Sequence, residues 1–336
     1  MREQAQTRLL QPRSAAGPYS RILGIGGYRP QRVVQNVELA GLLGRTPKWM
    51  ESRSGIQERR FASPDETLAM MGAEAGRKAL AHAGVPAGDI DLVLLISTSN
   101  RLRVPPAAVI IAQELGARGA AAFDLSAACA GFCYAVGVAS DAVRSESARN
   151  VLVIGAERMT DIVSRADHEI AFLFADGAGA VVIGPAEVPG IGQVFRGTDA
   201  SSSERLRLAS DSAAWAADRQ WLRMNGPSVF RWVMQEVCAA AARAMDGAGI
   251  GPGELGAFIP HQANLRLIDL MSQRLGISTG TAVSRDVIRS GNTSSASIPL
   301  AMESMLAEND GSSGDSALIL GFGAGLNYAG QVVLLP

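Results

Sequence analysis

The sequence predicts an α/β fold made of two similar halves, and three observations lead to this prediction. Apolar runs of strand length alternate with segments of helical periodicity along the 336 residues. Glycine-containing turns separate these segments at short intervals. The order of strands and helices in the first half recurs, in outline, in the second. Such alternation is typical of sheets whose faces are covered by helices.

The first half begins with strand and helix signals in close succession. Strands are predicted in RILGIGGYRP, DIDLVLLIST, AAFDLSA and NVLVIGAE, because short apolar runs bounded by turns favour buried strands. Helices are predicted in TLAMMGAEAGRKALAHAG and CAGFCYAVGVASDAVRS, whose apolar residues recur at helical spacing. The segment LFADGAGAVVIGP is predicted as two extended runs joined through glycines.

The second half repeats this plan. Residues 243–261 resemble residues 78–96, because each range has a helix end, an Ala-Gly stop, a turn with an acidic residue and an apolar strand. The C-terminal GFGAGLNYAGQVVLLP likewise resembles FADGAGAVVIGP. The similarity predicts two fused copies of one βα unit rather than a longer repeat array.

Three segments are therefore expected along the chain. They are a flexible tail over residues 1–20, an N-terminal half over 21–190 and a C-terminal half over 191–336. In fused duplicates the active site commonly lies between the halves. The serine-rich, weakly periodic residues 197–220 are predicted as an exposed excursion that leads into the second half.

Composition and charge exclude several classes of protein. The 31 Lys and Arg residues almost balance the 32 Asp and Glu residues, so no overall field attracts nucleic acid or an anionic membrane. The N-terminal segment lacks the apolar core of a secretory signal, and no apolar run is long enough to span a bilayer. Three cysteines cannot form a complete disulfide framework, which favours a reducing compartment. The prediction is a cytoplasmic protein with neither a nucleic-acid nor a membrane partner.

Two of the three cysteines lie four residues apart in FDLSAACAGFCYAVGVA. Metal ligation by Cys129 and Cys133 is disfavoured, because no other Cys or His pair has structural-zinc spacing, and no metal site is predicted. A disulfide between them is disfavoured because a bond at this spacing in a helix would be strained. Core packing is favoured for Cys133 and Cys238. Cys129 sits at the predicted helix start, where backbone N–H groups and the helix dipole should lower its pKa, so core packing and a nucleophilic role both remain open.

Three further features could assist a nucleophile. His261 follows an apolar strand and opens the amphipathic HQANLRLIDLMSQRLG, although a structural histidine is the alternative. Asn292 lies in SGNTSSASIP, where Gly-Asn ordinarily forms a turn but the amide could also face a cleft. The run GFGAGLNYAG lacks the Lys-Ser/Thr ending of a phosphate loop, and its glycines could turn a backbone N–H toward a reacting oxygen. His82 is expected as a helix C-terminal cap and His168 as a surface residue.

Several motifs together resemble a known family. DLSAACAGF, HQANLR, SGNTSSASIP and GFGAGL occur in the order found in β-ketoacyl-ACP synthase III, which has the thiolase fold. The resemblance runs from about residue 21 to residue 336 and includes WMESRSGIQERRF and FADGAGA. LSAACAGFC, ERMTDIV and GNTSSAS are most similar to the starter-unit priming ketosynthases of aromatic polyketide pathways. The resemblance implies duplicated thiolase-like βα halves layered as α-β-α-β-α.

The resemblance implies a Cys129–His261–Asn292 triad and a decarboxylating condensation. Cys129 would take an acyl group from an acyl-CoA, and malonyl-ACP would lose carbon dioxide to give an enolate that His261 and Asn292 stabilise. The backbone N–H groups of Cys129 and Ala324 would form the oxyanion hole. No cofactor is implied, because decarboxylation generates the nucleophile. A thiolase would have a second cysteine in the glycine motif, and an elongating synthase a second histidine in place of Asn292.

The resemblance also implies substrate contacts. Trp49 and Arg53 match positions that hold the nucleotide part of CoA, whereas His168 stands where the family has a second arginine in this clamp. Arg266 matches a contact to the acidic carrier protein. Val104 matches a position in a loop that reaches across a homodimer interface into the partner's acyl pocket. A valine at this position predicts a pocket with room for starters larger than acetyl. The remaining expected contacts to substrate are Phe230 and Phe322.

Two alternatives stay open from the sequence. The same fold and triad could transfer an acyl group to an oxygen or nitrogen nucleophile without decarboxylation. A non-catalytic interaction subunit is the other alternative. The motifs do not determine the starter acyl group, the cognate carrier protein or the choice between fatty-acid and polyketide synthesis.

Overall fold

A computed structural model describes residues 19–102, 104–210 and 220–336 of the chain. The strands in this part are β1 (Tyr19–Tyr28), β2 (Arg32–Gln35), β3 (Glu58–Phe61), β4 (Leu92–Ile96), β5 (Ala121–Leu125), β6 (Val151–Arg158), β7 (Asp176–Ala186), β8 (Phe195–Thr198), β9 (Leu206–Ser210), β10 (Gln220–Met224), β11 (Ala257–Pro260), β12 (Ala282–Val283), β13 (Ser316–Gly323) and β14 (Asn327–Leu334). The α-helices in the same part are α1 (Asn36–Leu43), α2 (Pro47–Ser54), α3 (Leu68–Ala83), α4 (Ala107–Leu115), α5 (Gly131–Arg144), α6 (Gly226–Trp232), α7 (Cys238–Ala248), α8 (Leu265–Leu275), α9 (Val287–Ser290) and α10 (Ser297–Ala307). A π-helical stretch, Val233–Val237, joins α6 to α7.

Two five-stranded mixed sheets share one topology. The first has the order β1-β7-β6-β4-β5, and the second has the order β8-β14-β13-β11-β12. Counted from the β1 or β8 edge, the first two pairings in each sheet are antiparallel and the other two are parallel. Strands of equal rank in the two halves therefore take equivalent places, which confirms the predicted duplication.

The sheets and helices stack in five layers. Helices α3 and α4 cover the outer face of the first sheet, α5 and α10 lie between the two sheets, and α7 covers the second sheet with α8 beside it. Helix α5 contacts both sheets, which explains why its sequence is apolar on most sides. Cys133 in α5 and Cys238 in α7 are buried, as predicted. The layered α-β-α-β-α fold is confirmed.

The prediction of two extended runs in LFADGAGAVVIGP is wrong, because β7 is one continuous strand. It pairs with β1 on one side and β6 on the other along most of its length. Its glycines do not form a turn. A Cβ at Gly179 would lie 2.8 Å from Pro299 of α10, so this glycine makes room for the helix that packs on the strand.

Residues 197–220 are more than an exposed excursion, and this prediction also needs correction. They include the end of β8, the whole of β9, whose Leu206 is buried, and Gln220, the first residue of β10, which pairs with β9. Residues 211–219 of this segment lie outside the described residues. Of the predicted tail, residues 1–18 lie outside them as well, and Tyr19 and Ser20 already belong to β1. In the part of the chain that is described, no helix is both long and apolar enough to cross a bilayer.

Candidate active site

Cys129 lies in a tight turn between β5 and α5. The 3-10 turn Ala128–Ala130 precedes the helix, so Cys129 stands two residues before its first position. Ala128 has a φ of 49°, in the left-handed region that residues with a Cβ rarely adopt. Backbone strain of this kind is concentrated at functional sites, where the surrounding structure enforces it.

Two glycines of the C-terminal motif, Gly321 and Gly323 on β13, pack against this turn. A Cβ at Gly323 would lie 2.8 Å from Cys129 Cβ and 3.1 Å from its Sγ, and one at Gly321 would lie 2.9 Å from Ala130 Cα. The two halves therefore meet at the Cys129 turn, and positions 321 and 323 of β13 have no space for a side chain. The backbone N–H groups of Cys129 and of Ala324, the residue after β13, lie near the Cys129 sulfur and favour its ionised form.

Burial dominates the acidity of Cys129. The residue is 9% exposed, and loss of hydration raises the pKa of its thiol to about 12, with the charge of Glu157 acting in the same direction. The hydrogen bond with Ser294 and the two nearby backbone N–H groups oppose this rise. The predicted lowering of the pKa is therefore wrong. A helix terminus contributes only about 0.3–1 kcal/mol, which is less than the cost of removing water from a thiolate.

His261 follows β11 and forms another side of the site. Its ring is buried, its Nδ1 lies 2.7 Å from Ser297 Oγ, and its edge packs on Phe322 with ring centroids 5.2 Å apart. Burial lowers the pKa of His261 to about 3, so the ring is neutral near pH 7. The helix expected to open at His261 begins at Leu265 instead, because the side chain of Asn264 caps it.

Asn292 is held from both sides by backbone hydrogen bonds. Its N–H donates to Leu173 O at 2.8 Å, and its carbonyl accepts from Ala175 N–H at 2.9 Å. Its side-chain Oδ1 accepts from Ser294 N–H at 2.9 Å, which occupies the acceptor end of the amide and leaves the NH₂ group as a donor. Ser294 has a φ of 51°, so a second left-handed residue stands in the site.

Cys129, His261 and Asn292, the predicted triad, line one cavity. Its volume is about 390 Å³, within the range of small-molecule sites, and Ala324 also lines it. Most of the wall is apolar. The part contributed by β9, β10 and α6 consists of Leu206, Leu222, Met224, Gly226, Pro227, Val229 and Phe230. Leu206 of the segment predicted as an exposed excursion therefore lines the site, and the residues that directly follow this segment build most of the same wall.

Cationic and aromatic residues lie where the cavity opens. Arg53 and Arg266 line it and are exposed, and Phe322 lines its interior. The guanidinium carbon of Arg53 lies 5.5 Å from the centre of the Trp49 ring, and that of Arg45 lies 4.8 Å from it. Sequence analysis missed Arg45, although its spacing of four residues from Trp49, equal to that of Arg53, was a usable signal.

Two expected substrate contacts, Trp49 and Val104, do not line this cavity. Val104 is 84% exposed, and His168 is exposed, as predicted. His82 does not act as the predicted cap. Its Nδ1 accepts a hydrogen bond from Ile25 N–H at 3.2 Å, while Gly84, with a φ of 64°, ends α3.

Sequence analysis also missed the polar groups that support Cys129. Ser294 Oγ lies 3.2 Å from Cys129 Sγ and 3.3 Å from Thr98 Oγ1. The fully buried carboxylate of Glu157 accepts from Thr98 N–H at 3.0 Å and from the Ser295 hydroxyl at 2.7 Å. Both serines lie in SGNTSSASIP, directly after Asn292, so this motif contained the signal. Within the described residues, no group of three or more His, Cys, Asp or Glu residues is placed to hold a metal ion.

The site has the parts that acyl transfer through a thioester needs. A buried thiol has two backbone N–H groups beside it, and a neutral histidine and an amide donor share its apolar cavity. Fold and site together define an acyltransferase of the thiolase fold.

Comparison with known proteins places the chain within this class. The family models described as 3-oxoacyl-[acyl-carrier-protein] synthase III and its C-terminal part match residues 123–200 and 245–335. The β-ketoacyl-ACP synthase III of Streptomyces lividans is 50% identical over 95% of each chain. A synthase III of Streptomyces coelicolor is 45% identical over 96% of this chain and 98% of that protein. The chain belongs to the β-ketoacyl-ACP synthase III family and is a ketosynthase.

Solved structures agree with this assignment. The crystal structure of the priming β-ketosynthase from the R1128 polyketide biosynthetic pathway matches with a TM-score of 0.94 and 48% identity, over 97% of this chain and 99% of that one. The 3-oxoacyl-ACP synthase III of Aquifex aeolicus matches with a TM-score of 0.88 and 33% identity, over 94% of this chain and 99% of that one. The predicted similarity to priming ketosynthases is confirmed.

Proposed function

We propose that Cys129 carries the acyl group in a two-stage condensation. An acyl-CoA acylates its thiol, and malonyl-ACP then loses carbon dioxide and receives the acyl group to give β-ketoacyl-ACP. The pair of backbone N–H groups of Cys129 and Ala324, which lie near the Cys129 sulfur and favour its ionised form, carries this proposal. The oxygen of a thioester that this sulfur attacks would lie beside the sulfur, within reach of the same donors.

In the first stage the Cys129 sulfur bonds to the thioester carbonyl carbon. The carbonyl π electrons move to the oxygen, which the two backbone N–H groups stabilise. The tetrahedral species then expels the CoA thiolate, which takes up the proton that Cys129 loses. Because burial keeps the thiol protonated near neutral pH, this proton must leave as the sulfur attacks. Ser294 Oγ, at 3.2 Å from the sulfur, is placed to share it.

In the second stage the malonyl carboxylate leaves as carbon dioxide, and the electrons of the broken C–C bond form a thioester enolate. The neutral ring of His261 and the NH₂ group of Asn292 supply donors for the enolate oxygen. The apolar wall favours loss of the charged carboxylate, because a buried anion without partners is costly. The enolate carbon then attacks the acyl-Cys129 carbonyl, the Cys129 thiolate leaves as the C–S bond breaks, and the thiolate takes up a proton from solvent water. No cofactor enters this scheme.

Residues at the opening of the cavity support a CoA thioester as the acyl donor and a carrier protein as the acceptor. Trp49 presents a ring with two guanidinium groups, those of Arg45 and Arg53, which suits a purine and its phosphates. Arg45 thus supplies a second cation in a chain that has His168 at the family's arginine position. The exposed Arg266 offers a positive charge to an acidic carrier protein.

We also propose that two copies of the chain pair through β5. Within the described residues β5 pairs only with β4, although its Phe123 is 43% exposed. Asp124 accepts hydrogen bonds from Asn100 and from Ala107 N–H, which attaches the loop carrying the exposed Val104 to this strand. An uncovered apolar edge strand favours pairing with a second copy. In such a homodimer Val104 would enter the partner's cavity, where its small side chain leaves room for starters larger than acetyl.

Mass spectrometry and carbon dioxide release test the reaction. Incubation with an acyl-CoA should add one acyl mass to Cys129, and labelled malonyl-ACP should then release carbon dioxide in step with β-ketoacyl-ACP. Transfer of the acyl group to an alcohol or amine without carbon dioxide would favour the non-decarboxylating acyltransferase. An unmodified chain would favour the interaction subunit.

Two further measurements test the starter and the dimer. A scan of donors should show acylation by branched or longer acyl-CoAs, and strict preference for acetyl-CoA would contradict the role of Val104. Light scattering should give a dimer for the wild type and a monomer for Phe123→Glu. A monomeric wild type would overturn the pairing through β5.

A further inference from the structure

The hydrogen bonds around His261 identify a group that governs its ring. Its Nδ1 lies 2.7 Å from the hydroxyl of Ser297, the first residue of α10. The same hydroxyl oxygen accepts from the backbone N–H of Gln262 at 3.3 Å. His261 and Ser297 are 3% and 1% exposed, so both bonds are shielded from bulk solvent.

Only one arrangement of protons satisfies all these groups. The Gln262 N–H has no role but donor, so the Ser297 oxygen accepts from it. If the imidazole also donated to that oxygen through Nδ1–H, the Ser297 proton would be buried without a partner among the hydrogen bonds of this site. Buried polar groups are almost always paired. The Ser297 hydroxyl therefore donates to Nδ1, and the neutral ring carries its proton on Nε2.

We propose that Ser297 is a positioning residue that fixes His261 as an Nε2–H donor facing the substrate. Phe322, which meets the ring at 75°, restricts its rotation from the other side. Sequence analysis did not identify this role, although Ser297 lies in the same motif as Asn292.

The tautomer of His261 limits which of the two stages this residue can assist. A ring with its proton on Nε2 and its Nδ1 occupied can donate to an enolate oxygen, but it has no free nitrogen to accept the proton of Cys129. His261 therefore serves decarboxylation and condensation and does not act as the base for acylation. This inference rests on the proposed role of His261 as a donor to the malonyl group.

Nuclear magnetic resonance tests the tautomer independently of any activity. The chain has only three histidines, so protein labelled with ¹⁵N-histidine gives a spectrum that can be assigned, with His261→Gln identifying the signal. We expect a protonated Nε2 and an unprotonated Nδ1 on His261, unchanged between pH 6 and pH 8. A protonated Nδ1 would overturn the proposal. Because this readout needs no substrate, it separates a wrong tautomer from a wrong reaction.

Kinetics of the two stages tests the consequence for catalysis. Ser297→Ala should leave acylation by acyl-CoA near the wild-type rate and lower the rate of condensation by about 10- to 100-fold, as loss of an orienting partner typically does. Ser140→Ala is the matched control, because it removes a buried hydroxyl that bonds Ser20 Oγ at 2.8 Å, and both stages should be unchanged. Unchanged condensation in Ser297→Ala, or equal losses in both stages, would contradict the proposal. If this variant does not fold, the wild-type tautomer decides.

Discussion

Replacing Gly323 with alanine should damage catalysis far more than stability. Gly323 has a φ of 179°, an extended conformation that alanine adopts freely, so the backbone itself resists nothing. Restricting the unfolded chain would even stabilise the protein by about 0.4–1 kcal/mol. The added Cβ, however, would lie 2.8 Å from Cys129 Cβ, 2.9 Å from its N and 3.1 Å from its Sγ. Since carbon atoms in contact prefer about 3.5–4.0 Å, β13 and the Cys129 turn must separate by roughly 0.7 Å.

This separation has two consequences of different size. Overpacking of this kind costs about 1–3 kcal/mol, so the net loss of unfolding free energy should be about 1–2 kcal/mol. The same movement pulls the N–H of Ala324 away from that of Cys129, and loss of one oxyanion donor lowers the rate by about 100- to 1000-fold. We therefore expect a folded Gly323→Ala protein with severely reduced rates in both stages.

The assay measures acylation by mass spectrometry over time, condensation by carbon dioxide release, and unfolding in urea. Gly88→Ala is the control, because nothing lies within 4 Å of a Cβ there and its φ is not in the left-handed region. This variant should match the wild type in rate. A Gly323→Ala protein that acylates within a few-fold of the wild-type rate would refute the proposed contact between β13 and the oxyanion hole.

Four further predictions concern single side chains. Cys129→Ala should show no mass increase with acyl-CoA, whereas Cys133→Ala, which removes only a buried sulfur, should still acylate; a reversed result would reassign the nucleophile. His261→Ala and Asn292→Ala should acylate but not condense, and equal loss of both stages in the His261 variant would contradict the division of roles. Arg45→Ala should raise KM for an acyl-CoA roughly tenfold, as loss of a charged contact does, without changing KM for an acyl-pantetheine thioester; a rise with both donors would argue against nucleotide binding. The pKa of His261 is about 3 in the folded protein, below its ordinary value of 6.5. Between these two pH values the unfolded chain binds one proton more than the folded protein, so the free energy of unfolding falls as the pH is lowered through this range. Between pH 7 and pH 5 this loss of unfolding free energy is about 2 kcal/mol, and His261→Gln should lack it when unfolding in urea is measured at several pH values. The same dependence of unfolding free energy on pH in both proteins would contradict a buried neutral ring.

Elements whose signals are local were predictable from the sequence. The Ala-Gly stops that end α3 and α7 are examples, because Gly84 and Gly249 have φ values of 64° and 68° and occupy equivalent places in the two halves. An Ala-Gly pair after a helical run carries that information without reference to the rest of the chain. The same holds for the apolar strands β4 and β11, which follow these stops at matching distances.

Elements that depend on partners were not predictable. β9 lies in a serine-rich segment and β10 begins at its end, and what makes them strands is their pairing and the burial of Leu206 and Leu222 against the cavity. β7 contains glycines that predict a turn, yet packing against Pro299 uses them to bring a helix close. The acidity of Cys129 was predicted from its position beside a helix, but burial by residues from both halves decides it.

The family, the duplicated fold and the chemical types at the centre of the site follow from short motifs around Cys129, His261 and Asn292. How these groups behave depends on the tertiary structure. It brings Gly323 against Cys129 and Ser297 against His261, contacts that span 194 and 36 residues of chain. Hydration, protonation and tautomer depend on which distant atoms surround a side chain, and a linear motif does not contain that information.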